Sequence, residues 1–114
     1  MTRLVVVGTT PMLILTHNPH RRGWSIDFPS TAIFPSNTGI VFIGRGAPPT
    51  TNLGDPTNGD ILIGGASISE YEQYPNDPSV YRGEIWAAAS IDGQVILVNE
   101  VTKLVEEILA EETK

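Results

Sequence analysis

The sequence predicts an all-β fold: an antiparallel β-sandwich or jelly-roll-like arrangement of about eight strands with one short C-terminal α-helix. Three observations carry that prediction. Eleven Gly and nine Pro in 114 residues punctuate the chain too often for long helices. Short apolar runs of strand length lie between these breaks. The apolar repeat then changes once, after Asn99, to a spacing of three and four residues. The length is about that of one domain, read here as a sandwich over residues 1–100 followed by an amphipathic helix over 101–114.

Eight strand candidates follow in order. Leu4–Val7 and Met12–Leu15 are apolar runs separated by Gly8-Thr9-Thr10-Pro11, too short and too interrupted for a signal peptide or a membrane span. Gly23–Phe28 alternates, with Trp24, Ile26 and Phe28 on a buried face and Ser25 and Asp27 on a wet one, which predicts an outer strand and puts Trp24 in the core. Gly39–Ile43, Asp60–Ile63 and Ala66–Glu70 are bounded by Phe34-Pro35-Ser36-Asn37, the long Arg45–Gly59 stretch, Gly64-Gly65 and Tyr74-Pro75-Asn76-Asp77-Pro78-Ser79. Gly83–Ile91 and Gln94–Asn99 flank Asp92-Gly93, a dipeptide suited to a two-residue type I′ hairpin turn because both positions need positive φ. That turn sets Ile91 opposite Gln94, Ala89 opposite Ile96 and Ala87 opposite Val98, with Ala88 against Leu97 and Trp86 against Asn99 on the other face. Such a hairpin is apolar on both faces, so a second cover is expected over it, and Ala87-Ala88-Ala89 lets that cover approach closely.

From near Asn99, Val101, Leu104, Val105, Ile108 and Leu109 recur at helical spacing, with Lys103, Glu106, Glu107 and Glu111 between them. About three turns of amphipathic helix are expected. A helix this short needs a docking surface, either its own sheet or neighbouring copies of the chain. Trp86, Ala88, Val101, Val105 and Ile108 are therefore the candidate residues of an oligomer interface.

Composition narrows the function. Hydrophobic residues at 40 % and charged residues at 18 % are those of a globular domain and exclude a disordered or membrane-embedded chain. Cysteine is absent, which removes disulfides, thiolate metal sites and thiol nucleophiles. No Asn-x-Ser/Thr acceptor occurs. The net charge of −6 is unevenly distributed: residues 1–50 carry Arg3, Arg21, Arg22 and Arg45 against Asp27 alone, whereas the remainder carries three basic and twelve acidic side chains. Solvation of interleaved halves explains this split. The alternative is a basic face turned toward an anionic surface, with Arg3, Arg21 and Arg22 as candidates. Four Arg without clustered Lys or interleaved aromatics make no phosphate-binding stripe, so nucleic acid is not expected as the ligand.

The chain offers little catalytic chemistry. Gly44-Arg45-Gly46 lacks the third glycine of a dinucleotide fingerprint, and Pro48-Pro49 blocks the helix that would bind pyrophosphate. His17 and His20 lack a third metal ligand nearby. Asp55, Asn58 and Asp60 lack the spacing of a calcium loop, and Asn58-Gly59 reads as a turn. Glu70, Glu72 and Glu84 combine into a glycosidase pair only on paper, and no Ser-His-Asp order appears. No catalysis, metal or cofactor is expected. Trp86 with the exposed loop pair Tyr71 and Tyr74 leaves a sugar-stacking platform as the second reading.

Taken in order, several motifs resemble a group of small tailed-phage virion proteins. Asn18-Pro19-His20-Arg21-Arg22-Gly23-Trp24 is similar to their N-P-x-R-x-x-hydrophobic opening. Val41-Phe42-Ile43-Gly44, Leu62-Ile63-Gly64-Gly65-Ala66-Ser67, Tyr81-Arg82-Gly83-Glu84-Ile85-Trp86-Ala87 and Val95 to Glu100 follow in the same sequence over about residues 13–100. The resemblance implies a non-enzymatic β-sandwich, made in the host cytoplasm, that decorates the capsid or sits in the tail. It also implies the major capsid protein and other copies of the chain, a trimer among the possible forms, as partners. The C-terminal helix and the long Arg45–Gly59 loop depart from the group's minimal pattern.

Overall fold

The computed structural model describes residues 2–52 and 59–112. Its strands are β1 (Thr2–Val7), β2 (Met12–Leu15), β3 (Arg21–Asp27), β4 (Val41–Arg45), β5 (Asp60–Leu62), β6 (Ser67–Tyr71), β7 (Ile85–Ala89) and β8 (Gln94–Thr102), followed by the helix α1 (Val105–Glu112). They form two four-stranded sheets, sheet A in the order β1-β8-β3-β6 and sheet B in the order β2-β7-β4-β5. Strands β1 and β8, β2 and β7, β3 and β6, and β4 and β5 all pair antiparallel. The chain is thus one long hairpin with its tip between β4 and β5. Rolling it up brings β3 beside β8 and β4 beside β7, the double-sheet order of a jelly roll. The all-β sandwich expectation is met, and each of the eight strand candidates overlaps an observed strand.

Alternation builds the core. Trp24, Ile26 and Phe28 are fully buried, as are Val7, Val41, Ile43, Ile85, Ala87, Ala89 and Ile96, and Val98 is nearly so. Each large apolar side chain so buried stabilises the fold by roughly 1.5–3 kcal/mol relative to exposure. Strand β3 has one wet face, as its alternation predicts. It is nevertheless an inner strand, flanked by β8 and β6, and not a strand at the sheet margin.

The Asp92-Gly93 hairpin is not formed. Strands β7 and β8 belong to different sheets, and Gly93, at φ 83°, turns the chain from one sheet to the other. The Gly8–Pro11 connection crosses beside it. Ala89 N–H donates to the Gly8 carbonyl at 2.8 Å, and Thr9 N–H donates to Asp92 Oδ1 at 2.8 Å. Tertiary pairing overrides the local turn signal here: with β8 between β1 and β3, Ile96 and Val98 face the opposite sheet instead of solvent. Each strand of the expected hairpin receives its second neighbour from within the chain.

The helix also differs from expectation. Residues 99–102 continue β8, with Val101 opposite Gly23 and Thr102 opposite Arg21. Strand pairing therefore takes the first turn of the expected helix, and α1 starts at Val105.

Candidate interaction surfaces

A β-bulge decides what the paired arginines of β3 do. The β3–β8 register shifts between Arg21 and Gly23, which re-aims the bulged residues. Arg21 is fully buried. Its Nε donates to Glu100 Oε2 at 2.8 Å, Nη1 donates to the Tyr81 and Gly83 carbonyls at 2.9 and 3.0 Å, and Nη2 donates to the Thr16 carbonyl at 2.7 Å. Arg21 ties the 16–20 loop to the 81–83 segment and β8, and it is not a surface contact residue. Arg22 remains 45 % exposed but pairs with Glu72 at 3.4 Å and Glu107 at 3.0 Å.

Arg3, Arg45 and Arg82 are also engaged within the chain. Arg3 Nη2 donates to the Ile14 carbonyl, joining β1 of sheet A to β2 of sheet B at one lateral margin of the sandwich. At the opposite margin Arg45 of sheet B binds Asp60 at 2.6 Å and Glu70 of sheet A at 2.9 Å, with its guanidinium 5.4 Å from the Trp24 ring centroid. Burial opposes the charge on Arg45, but its bonds to Asp60 and Glu70 outweigh that cost and raise its pKa. Arg82 pairs with Glu72 at 2.7 Å. The basic first half and acidic second half are therefore stitched together by ion pairs. They do not form a basic face opposite an acidic one.

The aromatic candidates do not share a platform. Trp24 is core, with Nε1 donating to Glu70 at 3.0 Å. Tyr71 pairs with Gly23 on the outer face of sheet A, and a Cβ on Gly23 would clash with Tyr71 Cδ1. Tyr74 is exposed in the following loop. Trp86 lies in β7 of sheet B, half-buried, on the face opposite its core neighbours Ile85 and Ala87. Its Nε1 is enclosed without a hydrogen-bond partner. Tyr71 and Trp86 thus belong to opposite outer faces of the sandwich.

Ala88, on the same outer face as Trp86, is fully buried within the monomer and drops out as an interface residue. Its register partner Phe42 is fully buried too. The connection after β4 folds back over this face, since a Cβ on Gly44 would meet the Ala47 carbonyl and Pro49. Part of that cover is the local loop. Asp55 and Asn58, considered as calcium ligands or turn residues, lie outside the described residues.

Among the apolar surfaces left open in the described residues, two concern β1 and the C-terminal segment. On sheet A, Leu4 is 58 % and Val6 64 % exposed, each directly opposite a partly buried apolar residue of β8, Leu97 and Val95. On the C-terminal segment, Leu104, Val105 and Leu109 are 62 %, 69 % and 55 % exposed, while Ile108 is half-buried and Val101 exposed. The root of α1 is fixed: Lys103 N–H donates to the His20 carbonyl at 2.9 Å, Lys103 Nζ binds Asn76, and Arg22 holds Glu107. The helix is anchored to the sandwich while most of its apolar stripe faces solvent. Its own sheet does not take that stripe.

Sequence patterning missed the open face of β1 because Leu4–Val7 is a continuous apolar run with no alternation to mark its wet side. It also missed a cleft of about 320 Å³ lined by Arg3, Ile14, Leu15, Thr16, Val98 and Glu100. Those residues come from three strands and the turn after β2, and only the roll-up brings them together. Among the described residues no group of three or more His, Asp or Glu gathers as a metal site would require, and no helix is long and apolar enough to cross a membrane. Comparison with family models, with curated proteins and with solved structures finds no match to this chain.

Proposed function

We propose that the chain is a non-enzymatic structural protein of a tailed-phage virion, a capsid decoration protein that binds the major capsid protein on the head surface as a small homo-oligomer. The observation that carries the reading is the anchored C-terminal segment, in which Leu104 and then Val105 and Leu109 of α1 face solvent. An amphipathic helix presented in this way is a ligand for an apolar groove on a partner. The motif order over residues 13–100 selects the kind of partner. The jelly roll is compatible but does not choose, because the same architecture serves capsid and lectin domains.

Binding across neighbouring capsomers would act by mass action, adding interface that is lost when the shell opens. The contact is apolar in this reading, since Arg21 is buried and Arg22 is paired within the chain. The carbohydrate-binding alternative has less support, because Tyr71 and Trp86 occupy opposite faces.

Co-sedimentation of the chain with purified capsids tests the proposal. The wild type should saturate the shell, and Leu104→Glu with Leu109→Glu should reduce occupancy at least about tenfold without moving the thermal midpoint. Capsids left bare at high protein concentration would overturn it.

A further inference from the structure

A two-sheet sandwich has four strand edges, each with a row of backbone N–H and C=O groups that invites another strand. Three edges here are blunted. Strand β2 follows Pro11, has a bulge between Leu13 and Leu15, and offers its Ile14 carbonyl to Arg3. Strand β5 has three residues, with Asp60 held by Arg45. Strand β6 places Ser67 and Ser69 on its outer face, and Tyr71 there lies over Gly23.

Strand β1 is the least protected, with an inward-turned Arg3 near one end as its one device. It runs six residues, Thr-Arg-Leu-Val-Val-Val, with no proline and no break in its register against β8. Its one charged residue, Arg3, is drawn toward β2. Its outer face shows Leu4 and Val6, both more than half exposed.

We infer that the β1 edge is a self-association surface: residues 2–6 of one copy add antiparallel to residues 2–6 of a second about a two-fold axis, joining two copies of sheet A into one eight-stranded sheet. The strand is compatible with itself. With Leu4 opposite Leu4 of the second copy, Thr2 meets Val6 and Arg3 meets Val5, so every outward side chain stays on its own face and the guanidiniums never oppose each other.

Charge does not oppose pairing at this edge. The chain has a net charge of −6, so two copies repel, but neither β1 nor its neighbouring segment Gln94–Asn99 contains a carboxylate. Pairing would join Leu4, Val6, Val95 and Leu97 of the two copies into one apolar strip. Five residues a side bury less than the roughly 1,000 Å² of a stable complex, so the dimer dissociates in the micromolar range. It is two-fold, unlike the trimer among the forms that the motif resemblance implies.

Sedimentation velocity between about 5 and 500 μM, on the wild type and on Val6→Lys, tests the pairing. The wild type should pass from monomer to dimer as concentration rises, and its β1 amides should gain hydrogen-exchange protection in step. Val6→Lys should raise the dissociation constant at least about tenfold and keep the wild-type melting midpoint, because Val6 is exposed in the monomer. A monomer throughout, a trimer, or a dimer indifferent to Val6→Lys overturns the inference. It stands apart from capsid binding: bare capsids with an intact dimer would refute only capsid binding, whereas occupied capsids with a permanent monomer would refute the self-association and leave capsid binding standing.

Discussion

The side chain of Asn37 pairs with both backbone groups of Val95, accepting from its N–H at 2.7 Å and donating to its carbonyl at 2.9 Å. The β3–β8 register places Asp27 opposite Leu97, so the residue that would come opposite Val95 is Pro29, which has no N–H to donate. The Asn37 carboxamide substitutes for that missing ladder position and also donates to the Pro29 carbonyl at 2.8 Å. Asn37→Ala should destabilise the fold by about 2–4 kcal/mol, because it strips partners from enclosed backbone groups. Asn37→Asp should cost more at neutral pH, where a carboxylate would face two carbonyls. Urea midpoints at unchanged m-value read both effects.

Arg21 makes a second prediction, about stability and not about surface binding. Arg21→Met removes the guanidinium from Glu100 and from the Thr16, Tyr81 and Gly83 carbonyls together, and should cost about 3–5 kcal/mol. Arg21→Lys should recover only part of the loss, since an ammonium cannot span those four acceptors. Screening does not reach a fully buried charge, so the loss should be nearly the same at low and high salt. A loss that vanishes in high salt would contradict the buried geometry.

The contrast between these two residues and the strands shows where the sequence is legible. Trp24, Ile26 and Phe28 declare a buried face through alternation alone, and Gly/Pro breaks separate the strands up to the start of β8. Asn37 reads as an ordinary turn residue, because its role depends on Pro29 and Val95 being brought to it. Asp92-Gly93 has the strongest local turn signal in the chain, yet it serves an inter-sheet crossing. Local φ preference is satisfied either way, and only the pairing of β8 with β1 and β3 decides between them. Arg21 and Arg22 look equivalent in sequence, and a single bulge sends one inward and leaves the other exposed. The apolar stripe of α1 is readable from its spacing. That it faces solvent is a tertiary fact.

Acid should loosen the loop between β6 and β7 through Asp77. The backbone N–H groups of Gln73 and Ser79 donate to its carboxylate, each at 3.0 Å, and these bonds lower its pKa from the ordinary 3.8. A depressed folded-state pKa stabilises the fold above the unfolded-state value, and that contribution is lost as pH falls through the folded-state value. Midpoints measured from neutral pH down to about pH 2 should therefore fall in acid, and Asp77→Asn should flatten part of that dependence. Identical acid profiles for the two proteins would remove Asp77 from the account.

Gly23 and Tyr71 should show the largest pairwise coupling on the outer face of sheet A. The two are register partners, and the ring occupies the space where a Cβ on Gly23 would stand. Tyr71 is held there by Asn99, whose Nδ2 donates to the Tyr71 hydroxyl at 3.2 Å, and Asn99 in turn accepts from Thr2 Oγ1 at 3.0 Å. Gly23→Ala must displace the ring and break this chain of bonds, at a cost of about 1–3 kcal/mol. Tyr71→Ala alone should cost about 1 kcal/mol, since the ring is partly exposed and its hydroxyl bond is at the surface. In the double variant the methyl fills vacated space, so the combined loss should fall below the sum of the single losses by at least about 1 kcal/mol. Strict additivity in that cycle would mean that the ring leaves Gly23 without cost, and that the close approach seen here does not constrain the sheet.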